Sequence, residues 1–362
     1  MVGAGPAGIG TALALGDVEG LSFGVLERGR VGQTFLDWPA RQTFLTPSFT
    51  GNGFGATDLN SVHPLTSPAH SLGVDYPDGP QYARYLNGVV GHFDVPLLEQ
   101  AAVTAVRPGP DGFAVTSDRG PVLARSLVWA GGEFAEPAAL DFPGSGRTVH
   151  SSAPEAWEPG GGRVVVIGGY ESGIDIACHH VRLGASVTVV DPNRPWEGAG
   201  TSDPSFRLAP RSNMRLAEAS RTGRLALVPS SALAVAREPD GGFAVLLDDE
   251  SQVVSDRAPI SAVGFGPGLG PVADLFERRE DGWPLVDEDD QSTITPGLFL
   301  AGPALRHGGL KFCFVYKFRQ RFAHVARVIG ERAGKDCSRL EGWRAAGMLA
   351  DDLSCCGAEC AC

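Results

Sequence analysis

Positive charge is scarce in this chain of 362 residues. Lys and Arg number 30 against 42 Asp and Glu, which leaves a formal net charge of −12. Nucleic acids and anionic membrane surfaces are bound through clustered Lys and Arg, so the charge balance argues against both as partners. No apolar run reaches the length that crosses a bilayer, and the N-terminus shows no basic segment followed by a signal-like run. We therefore expect a soluble cytoplasmic protein.

Cysteine is also scarce over most of the chain, where it occurs only as three isolated residues. The remaining four crowd into the last eight residues: Cys355, Cys356, Cys360 and Cys362. A secreted disulfide framework would spread its cysteines along the chain, so this distribution indicates a reducing compartment. Vicinal and nearly vicinal thiolates bind soft ions such as Zn(II), which makes the four a candidate metal site. A tail without function is the alternative interpretation.

Glycine, by contrast, is abundant, and its first cluster forms a dinucleotide-binding fingerprint. The segment matches G-x-G-x-x-G at every position, and the predicted contacts are Gly3, Gly5, Pro6, Ala7 and Gly8. An apolar helix and a strand follow, and the strand ends at Glu27. The glycines let a pyrophosphate approach the helix N-terminus, and the Glu27 carboxylate would accept hydrogen bonds from the adenosine ribose. Only Met1 and Val2 precede the first glycine, so we expect either a clipped central strand or a start further upstream. A glycine turn without a nucleotide is the alternative.

A second, altered fingerprint lies in the middle of the chain. Its residues are Gly168, Gly169, Tyr170, Glu171, Ser172 and Gly173. Tyr170 replaces the glycine that lets backbone touch the pyrophosphate, and Glu171 places an anion at a helix N-terminus, so weaker binding is expected here. The next strand ends at Asp191, which suits a free ribose 2′-hydroxyl and slightly favours NADH. Arg194 would meet the 2′-phosphate of NADPH instead.

The two fingerprints open two copies of one plan. In each copy a strand–turn–helix–strand unit is followed by a β-meander, predicted over 103–123 and 225–254, and by a strand that ends in a glycine turn. The predicted fold is α/β, with two Rossmann-like dinucleotide-binding domains and a discontinuous first domain. The predicted boundaries are 1–155 and 289–345 for the first domain, 156–288 for the second and 346–362 for the cysteine-rich tail. Residues 33–78, which include Trp38, are rich in loops and are expected to wall the first site.

This combination resembles flavoproteins with two dinucleotide-binding domains, the class of thioredoxin reductases and flavin-containing monooxygenases. The likeness runs from Met1 to about Gly334. The strand from Thr295 to Gly302 resembles the one that reaches the flavin, although Pro303 replaces its usual acidic residue. The resemblance implies FAD together with NADH or NADPH as cofactors, and a small-molecule substrate or a small thiol or disulfide as partner. A homodimer is one of the arrangements that the sequence leaves open for this chain.

Further residues are expected near the flavin ring through this resemblance. Gly131 follows the strand over 127–129, and Arg319 and Gln320 resemble the Arg-Gln pair that opens the last helix of thioredoxin reductases. The alternative is that Arg319 is a solvent-exposed charged side chain on the surface of a helix. His307 or Lys311 would stabilise negative charge on the reduced flavin.

Two further features bear on the electron acceptor. Gly146 and His150 match half of the monooxygenase motif between the domains, and His150 is either a hinge contact or a surface linker residue. Cys313 is expected to be a packed residue at a helix start rather than a redox thiol.

The sequence therefore favours an FAD-dependent NAD(P)H oxidoreductase that passes electrons to a disulfide or thiol-bound acceptor. The C-x-x-C pair of small thioredoxin reductases is missing, so Cys355 and Cys356 are the candidate redox thiols. A flavin-dependent monooxygenase forming a C4a-hydroperoxide and a non-catalytic FAD-containing sensor or soft-metal protein are the alternatives.

Overall fold

The structure is a computed structural model that describes residues 1–51, 55–198, 203–239 and 241–353. The helices are α1 (Pro6–Gly16), α2 (Gln33–Leu36), α3 (Pro68–Leu72), α4 (Gly79–His92), α5 (Glu171–Arg182), α6 (Pro210–Ser220), α7 (Val315–Phe318), α8 (Phe322–Arg332) and α9 (Glu341–Ala345). The strands are β1 (Val25–Leu26), β2 (Leu97–Leu98), β3 (Val103–Gly109), β4 (Gly112–Ser117), β5 (Gly120–Ala124), β6 (Leu127–Trp129), β7 (Val149–His150), β8 (Arg163–Ile167), β9 (Ser186–Val190), β10 (Leu225–Val228), β11 (Ala232–Arg237), β12 (Phe243–Leu247), β13 (Gln252–Ser255), β14 (Ile260–Ser261), β15 (Leu298–Leu300), β16 (Arg306–His307) and β17 (Leu310–Lys311). Within these ranges, no helix is both long and apolar enough to cross a bilayer.

Two parallel sheets repeat one strand order, which confirms the predicted pair of Rossmann-like units. In the first, β2 pairs with β1, Val2 bridges β1 to β6, and β6 pairs with β15. In the second, the order is β10, β9, β8, β14 and β7, and every pair is parallel. Val2 and β8 therefore occupy equivalent central positions, each directly before its fingerprint turn.

The central strand of the first sheet is shortened to a single bridging residue. The Val2 N–H donates to Val128 O at 3.0 Å, and Val2 O accepts from Ala130 N–H at 2.8 Å. Gly3 N–H donates to Leu26 O at 2.8 Å on the other side. These three bonds hold the first fingerprint turn between β1 and β6. The equivalent strand of the second sheet, β8, has five residues.

The second meander differs from its predicted position. β3, β4 and β5 form the predicted antiparallel meander of the first unit. In the second unit, the meander is β11–β12–β13, whereas β10 extends the parallel sheet beside β9. The placement of 225–228 in the meander was therefore wrong. A short apolar run is equally typical of a strand in a parallel sheet and of a strand in an antiparallel meander. Only the partner strand shows which of the two it is.

Residues near both predicted domain boundaries contact a neighbouring unit. Val149 and His150 pair with the second sheet, and Val272, Phe276 and Val286 are buried in the first core. The boundaries of the two units at 155/156 and 288/289 stay predictions.

The helical segment after β17 is broken into three parts. α7 is followed by a 3₁₀ turn over Arg319–Arg321, and only then does α8 begin. α8 packs across α1, where a Cβ on Gly10 would lie 1.9 Å from the Phe322 ring. Glycine at position 10 therefore lets the two helices approach closely.

The two units are joined by charged side chains on either side of the cleft between them. Arg211 of α6 donates to Thr43 Oγ1 at 2.8 Å and to Phe44 O at 2.6 Å. The ammonium of Lys317 in α7 donates to Asp203 at 2.7 Å.

Candidate active site

A cavity of about 820 Å³ lies between the two units and is lined by both fingerprint turns. The first turn and its strand contribute Gly3, Gly5, Pro6, Ala7 and Glu27. The start of α5 contributes Glu171, Ser172 and Asp175. The carboxyl ends of the parallel strands in both sheets therefore open into one space, which is where α/β proteins bind ligands.

The glycines of the first turn have two different roles. Gly3 has φ +102°, and a Cβ there would lie 2.3 Å from Ala130 O. A Cβ on Gly8 would lie 1.9 Å from Gly3 O, so packing requires both glycines. A Cβ on Gly5 would meet nothing within 4 Å. Gly5 therefore leaves a space open to the cavity, and a pyrophosphate at the N-terminus of α1 fits this space.

Glu27 is held beside that turn by its backbone. The carboxylate accepts from Ala4 N–H at 2.7 Å through Oε2 and from Gly29 N–H at 2.8 Å through Oε1. The side chain is 7% exposed and lines the cavity. These bonds fix the carboxylate at the end of β1, where it was predicted to meet a ribose.

The second turn reproduces the same geometry. Gly168 has φ +102° with a Cβ position 2.4 Å from Ala262 O, and a Cβ on Gly173 would lie 1.9 Å from Gly168 O. Asp191 accepts from Gly169 N–H at 2.7 Å, as Glu27 does from Ala4. Arg194 is exposed and pairs with Glu197 at 3.7 Å.

Tyr170 and Glu171 tie this turn to neighbouring segments. The Tyr170 hydroxyl donates to Arg207 O at 3.1 Å. The Glu171 carboxylate accepts from Ala209 N–H and from the Ser212 hydroxyl, so it links the start of α5 to the start of α6. Burial raises the pKa of Glu171, and the two donors oppose this effect. Weakened phosphate binding at this turn stays a prediction.

An aromatic wall closes the first site. Phe35 stacks on Phe44 at 5.6 Å between ring centroids, and Trp38 lies 5.4 Å from Phe44. Trp38 lines the cavity, and its buried Nε1–H has no partner among the described residues. An unpaired indole donor beside a large cavity fits a ligand with a planar ring and acceptor atoms.

The glycine turns after β6 and β15 bring backbone close to the same space. Gly302 has φ +107°, with a Cβ position 3.0 Å from the Cβ of Ala7. A Cβ on Gly131 would lie 2.7 Å from Trp129 Nε1. Pro303 lines the cavity where the resemblance would place an acid. Replacement of that carboxylate by backbone groups near Gly302 stays a prediction.

Arg319 supports a loop of the cavity wall. It is 6% exposed, and its guanidinium donates to Asp58 O, to Ser61 O at 3.3 Å and to Thr57 O at 3.4 Å. Burial lowers its pKa to about 10. The interpretation of Arg319 as a solvated helix charge was therefore wrong. Gln320 donates to Tyr316 O at 3.4 Å, within its own helical segment.

The side chains of His307 and Lys311 contact other residues and do not line the cavity. His307 Nε2 lies 2.5 Å from Asp290 Oδ1, and Arg321 binds the other oxygen of Asp290 at 2.8 Å. The Lys311 ammonium lies 4.5 Å from the centre of the Phe206 ring. Neither belongs to the described cavity wall, so this arrangement does not support their predicted role beside the flavin.

His150 lies at the junction of the two units. Nε2 is 3.0 Å from Gly264 O, Nδ1 is 2.8 Å from Ser152 Oγ, and the ring stacks edge-on against Phe265. Burial lowers the pKa of His150. Ser152 and Phe265 line the cavity. These contacts favour the hinge interpretation over the surface linker.

The sequence misplaced one cavity residue, Cys313, and gave no prediction for another, Glu133. Cys313 is exposed and lines the cavity, so the expectation of a packed residue was wrong. Glu133 also lines it. Its signal was its place directly after Gly131 and Gly132, because residues that follow parallel strands gather at one edge of the sheet. Cys355, Cys356, Cys360 and Cys362 lie outside the described residues.

Comparison with known proteins gives consistent matches. Residues 1–302 match the family described as pyridine nucleotide-disulphide oxidoreductase. A ferredoxin–NADP reductase of Paraburkholderia xenovorans (strain LB400) is 27% identical over 317 residues, covering 83% of this chain and 78% of that protein. The structure of bacillithiol disulfide reductase Bdr from Staphylococcus aureus is similar with a TM-score of 0.72 at 19% identity, covering 91% of this chain and 97% of that one. A flavin-containing monooxygenase from Stenotrophomonas maltophilia has a TM-score of 0.66 at 18% identity, with coverages of 92% and 97%. At these identities the solved structures share the fold.

Proposed function

Because the chain belongs to the pyridine nucleotide-disulphide oxidoreductase family, we propose that it carries electrons from NAD(P)H to a small disulfide or thiol-bound acceptor. As a member of that family it is an FAD- and NAD(P)H-dependent oxidoreductase. Bound FAD supplies the two-electron chemistry, and the protein supplies binding, orientation and electrostatics.

One observation carries the proposal: a single cavity of about 820 Å³ is lined by the turns of both dinucleotide-binding units. A hydride passes between two cofactors only when their reacting rings meet in a space that excludes competing reactions. The arrangement supports such a meeting, since residues of α1 and of α5 face the same cleft.

The first unit holds the residues that would bind FAD. The pyrophosphate would lie on Gly5, Pro6 and Ala7 at the start of α1. Glu27 would accept from the ribose, and the backbone at Gly131 and Gly302 would approach the flavin side. The unpaired indole of Trp38 would donate to a ring acceptor.

The second unit would bind the nicotinamide nucleotide. Gly168, Gly169, Ser172 and Gly173 form the turn, and Asp191 stands at the ribose position. Tyr170 and Glu171 reduce affinity there. Ferredoxin–NADP reductases are NADP enzymes by name, so both NADH and NADPH belong in any assay.

A small disulfide is the acceptor that we favour. Bdr is named for a disulfide of a small thiol. The C-terminal cysteines, Cys355 and Cys356 first, are proposed as an electron relay to that acceptor. Removing the residues after Leu353 is then expected to abolish disulfide turnover while flavin reduction continues.

Anaerobic mixing with NADH or NADPH tests the enzyme directly. The flavin absorbance band is expected to bleach with at least one of the two. If neither bleaches it, the oxidoreductase assignment fails and the FAD-containing sensor replaces it.

A flavin-dependent monooxygenase is the second candidate, favoured by the contact of His150 with Gly264 at the junction of the units. This activity would consume oxygen with NAD(P)H and would survive removal of the tail. Oxygen uptake by the full chain and by the chain ending at Leu353, measured with and without a disulfide, separates the two activities.

A further inference from the structure

A second, smaller cavity lies at the C-terminal end of α5, away from the fingerprint turn at the start of that helix. Its volume is about 350 Å³, which is within the range of small-molecule sites. The residues that line it are Arg41, Trp157, Pro159, His179, Arg182 and Leu183. We call this cavity the arginine pocket, because two of its lining side chains carry guanidinium groups.

Three separate segments meet at the arginine pocket. His179, Arg182 and Leu183 are three and four residues apart at the end of α5, so they lie on one side of that helix. Arg41 comes from the loop between α2 and α3, and Trp157 comes from the segment between β7 and β8. The fold therefore brings a second guanidinium group and an indole ring to a helix face that already carries one cation.

The two guanidinium groups lack a counter-ion in the part of the chain that the structure describes. There, the side chains of Arg41 and Arg182 form neither a hydrogen bond nor an ion pair, and both residues are exposed. The chain has a net charge of −12, so these two cations do not belong to a generally positive surface. Guanidinium groups bind carboxylates and phosphates through paired, charge-assisted hydrogen bonds. An anionic ligand therefore matches the charge of the arginine pocket.

A buried histidine nitrogen of the same pocket also lacks a partner. His179 is 4% exposed, and its Nε2 lies 3.0 Å from Trp157 O, whereas its buried Nδ1 has no hydrogen-bond partner among the described residues. Because a carbonyl oxygen accepts, Nε2 carries the proton. Burial lowers the pKa of His179, the bond to Trp157 O opposes this effect, and the charges of Arg182 and Arg41 lower the pKa further. The ring is therefore neutral, and its Nδ1 is a buried acceptor that a ligand with a donor group would satisfy.

The indole of Trp157 gives the pocket a fixed apolar wall. Its Nε1–H donates to Ser151 O at 2.7 Å, and its ring lies 5.3 Å from the His179 ring between centroids. The residue is 6% exposed, and the apolar side chains of Pro159 and Leu183 line the pocket with it. Aromatic faces bind planar rings, so the wall favours an aromatic ligand. Trp157 also lines the large cavity, so one side chain borders both spaces.

We propose that the arginine pocket binds a small aromatic acid that carries a hydrogen-bond donor. Arg41 and Arg182 hold its acidic group, the face of Trp157 covers its ring, and His179 Nδ1 accepts from its donor. The pocket is separate from both fingerprint turns, so the inference goes beyond the proposed electron transfer and does not depend on it. A molecule bound here touches Trp157 and thereby a wall of the large cavity.

Titration calorimetry with 4-aminobenzoate tests the proposed ligand class. The full-length protein carries FAD, and oxidised NAD(P) is present in excess so that the large cavity is occupied. Saturable binding of 4-aminobenzoate is expected. The amide 4-aminobenzamide keeps the ring and the donor but lacks the charge, and it should bind at least about tenfold more weakly. Benzoate keeps the charge but lacks the donor for His179 Nδ1, and it should bind about two- to tenfold more weakly.

Two substitutions locate the site on the molecule. Arg41→Gln and Arg182→Gln are each expected to weaken the binding of 4-aminobenzoate at least about tenfold, because each removes one charged donor from the acidic group. Both positions are exposed, so neither change opens a cavity in a core. Arg84→Gln, at an exposed position of α4, removes the same charge elsewhere and should leave the affinity unchanged.

Three results would overturn the inference: no saturable binding of 4-aminobenzoate, equal binding of the acid and its amide, or unchanged affinity in both arginine variants. Thermal denaturation shows whether each variant is folded. If one is not, the comparison of acid and amide on the unmodified protein still decides. Bleaching of the flavin band by NAD(P)H measures the proposed function separately, so a failure of that function and a failure of this inference are distinguishable.

Discussion

The two fingerprint turns differ at the position of their second glycine, which is Gly5 in the first turn and is replaced by Tyr170 in the second. Gly5 leaves open space within 4 Å, whereas Tyr170 fills its position and hydrogen-bonds to Arg207. The acidic residues at the strand ends, Glu27 and Asp191, are held by equivalent backbone bonds. The two sites therefore share an architecture and differ in their access for a phosphate.

Removing the charge of Glu171 should strengthen nicotinamide binding. Glu171→Gln keeps an acceptor for Ala209 N–H but removes an anion from the start of α5. A charge at a helix N-terminus changes binding by about 0.3–1 kcal/mol, so NAD(P)H affinity is expected to rise about two- to fivefold. Titration calorimetry measures this, and Glu250→Gln, at an exposed position between β12 and β13, is the control. An unchanged or weaker affinity would contradict the repulsion.

Arg319 is expected to matter for stability. Arg319→Ala leaves the carbonyl groups of Thr57, Asp58 and Ser61 without their donor. The free energy of unfolding should fall by about 2–4 kcal/mol. Urea denaturation measures the change, and Arg107→Ala at an exposed position of β3 is expected to stay within about 0.5 kcal/mol. Equal effects of the two substitutions would show that the bonds to the loop contribute little.

At the scale of elements, the first turns of α1 and α5 require glycine, because the backbone of the preceding glycine turn packs directly against each helix. Gly8→Ala places a Cβ 1.9 Å from Gly3 O, and Gly173→Ala places one 1.9 Å from Gly168 O. We expect the first to lose FAD, and the second to retain FAD but lose NAD(P)H binding. Flavin absorbance after gel filtration and NAD(P)H titration measure the two losses.

Gly16→Ala is the control for these substitutions, since its Cβ would meet Phe23 only at 3.9 Å. It should stabilise α1 by about 0.5–1 kcal/mol, because alanine favours helix more than glycine does. Loss of FAD from this variant as well would mean that any change in α1 expels the cofactor, and the argument from close approach would fail.

Elements with strong local signals were predictable, and those defined by pairing were not. α4 begins at a capping box of Asp78 and Gln81, and its buried residues, which include Tyr82 and Leu86, recur at helical spacing. The role of β10 depended on its partner β9, which lies more than thirty residues earlier in the chain. The break at Arg319 depends on carbonyl groups of the 57–61 loop, which no local pattern reveals.

At the scale of the whole molecule, buried histidines should make folding sensitive to acid. Burial lowers the pKa of His63 and of His180 to about 4. The unfolded chain binds protons at these residues below about pH 6.5, whereas the folded chain does so only near pH 4. Stability is therefore full above about pH 6.5 and falls by about 3 kcal/mol for each residue as the pH drops to about 4.

His180→Gln should weaken this pH dependence. Glutamine keeps a donor for Ala156 O, which lies 2.8 Å from His180 Nε2, but it does not take up a proton. Urea unfolding at neutral and at acidic pH measures the slope, and the exposed His70→Gln should leave it unchanged. A slope identical to that of the unmodified protein would exclude His180 as a source of acid sensitivity.

The sequence alone determined the duplicated α/β plan, both glycine turns and the acidic residues at the strand ends. These features depend on local spacing, because a turn, a helix N-terminus and a strand end lie within about thirty residues of one another. Only the tertiary structure decided which side chains face the cleft. It turned His307 toward Asp290 and buried Arg319 under a loop, and it placed Cys313 and Glu133 in the cavity wall. Those placements depend on contacts between segments far apart in the chain, and such contacts leave no periodic signal in the sequence.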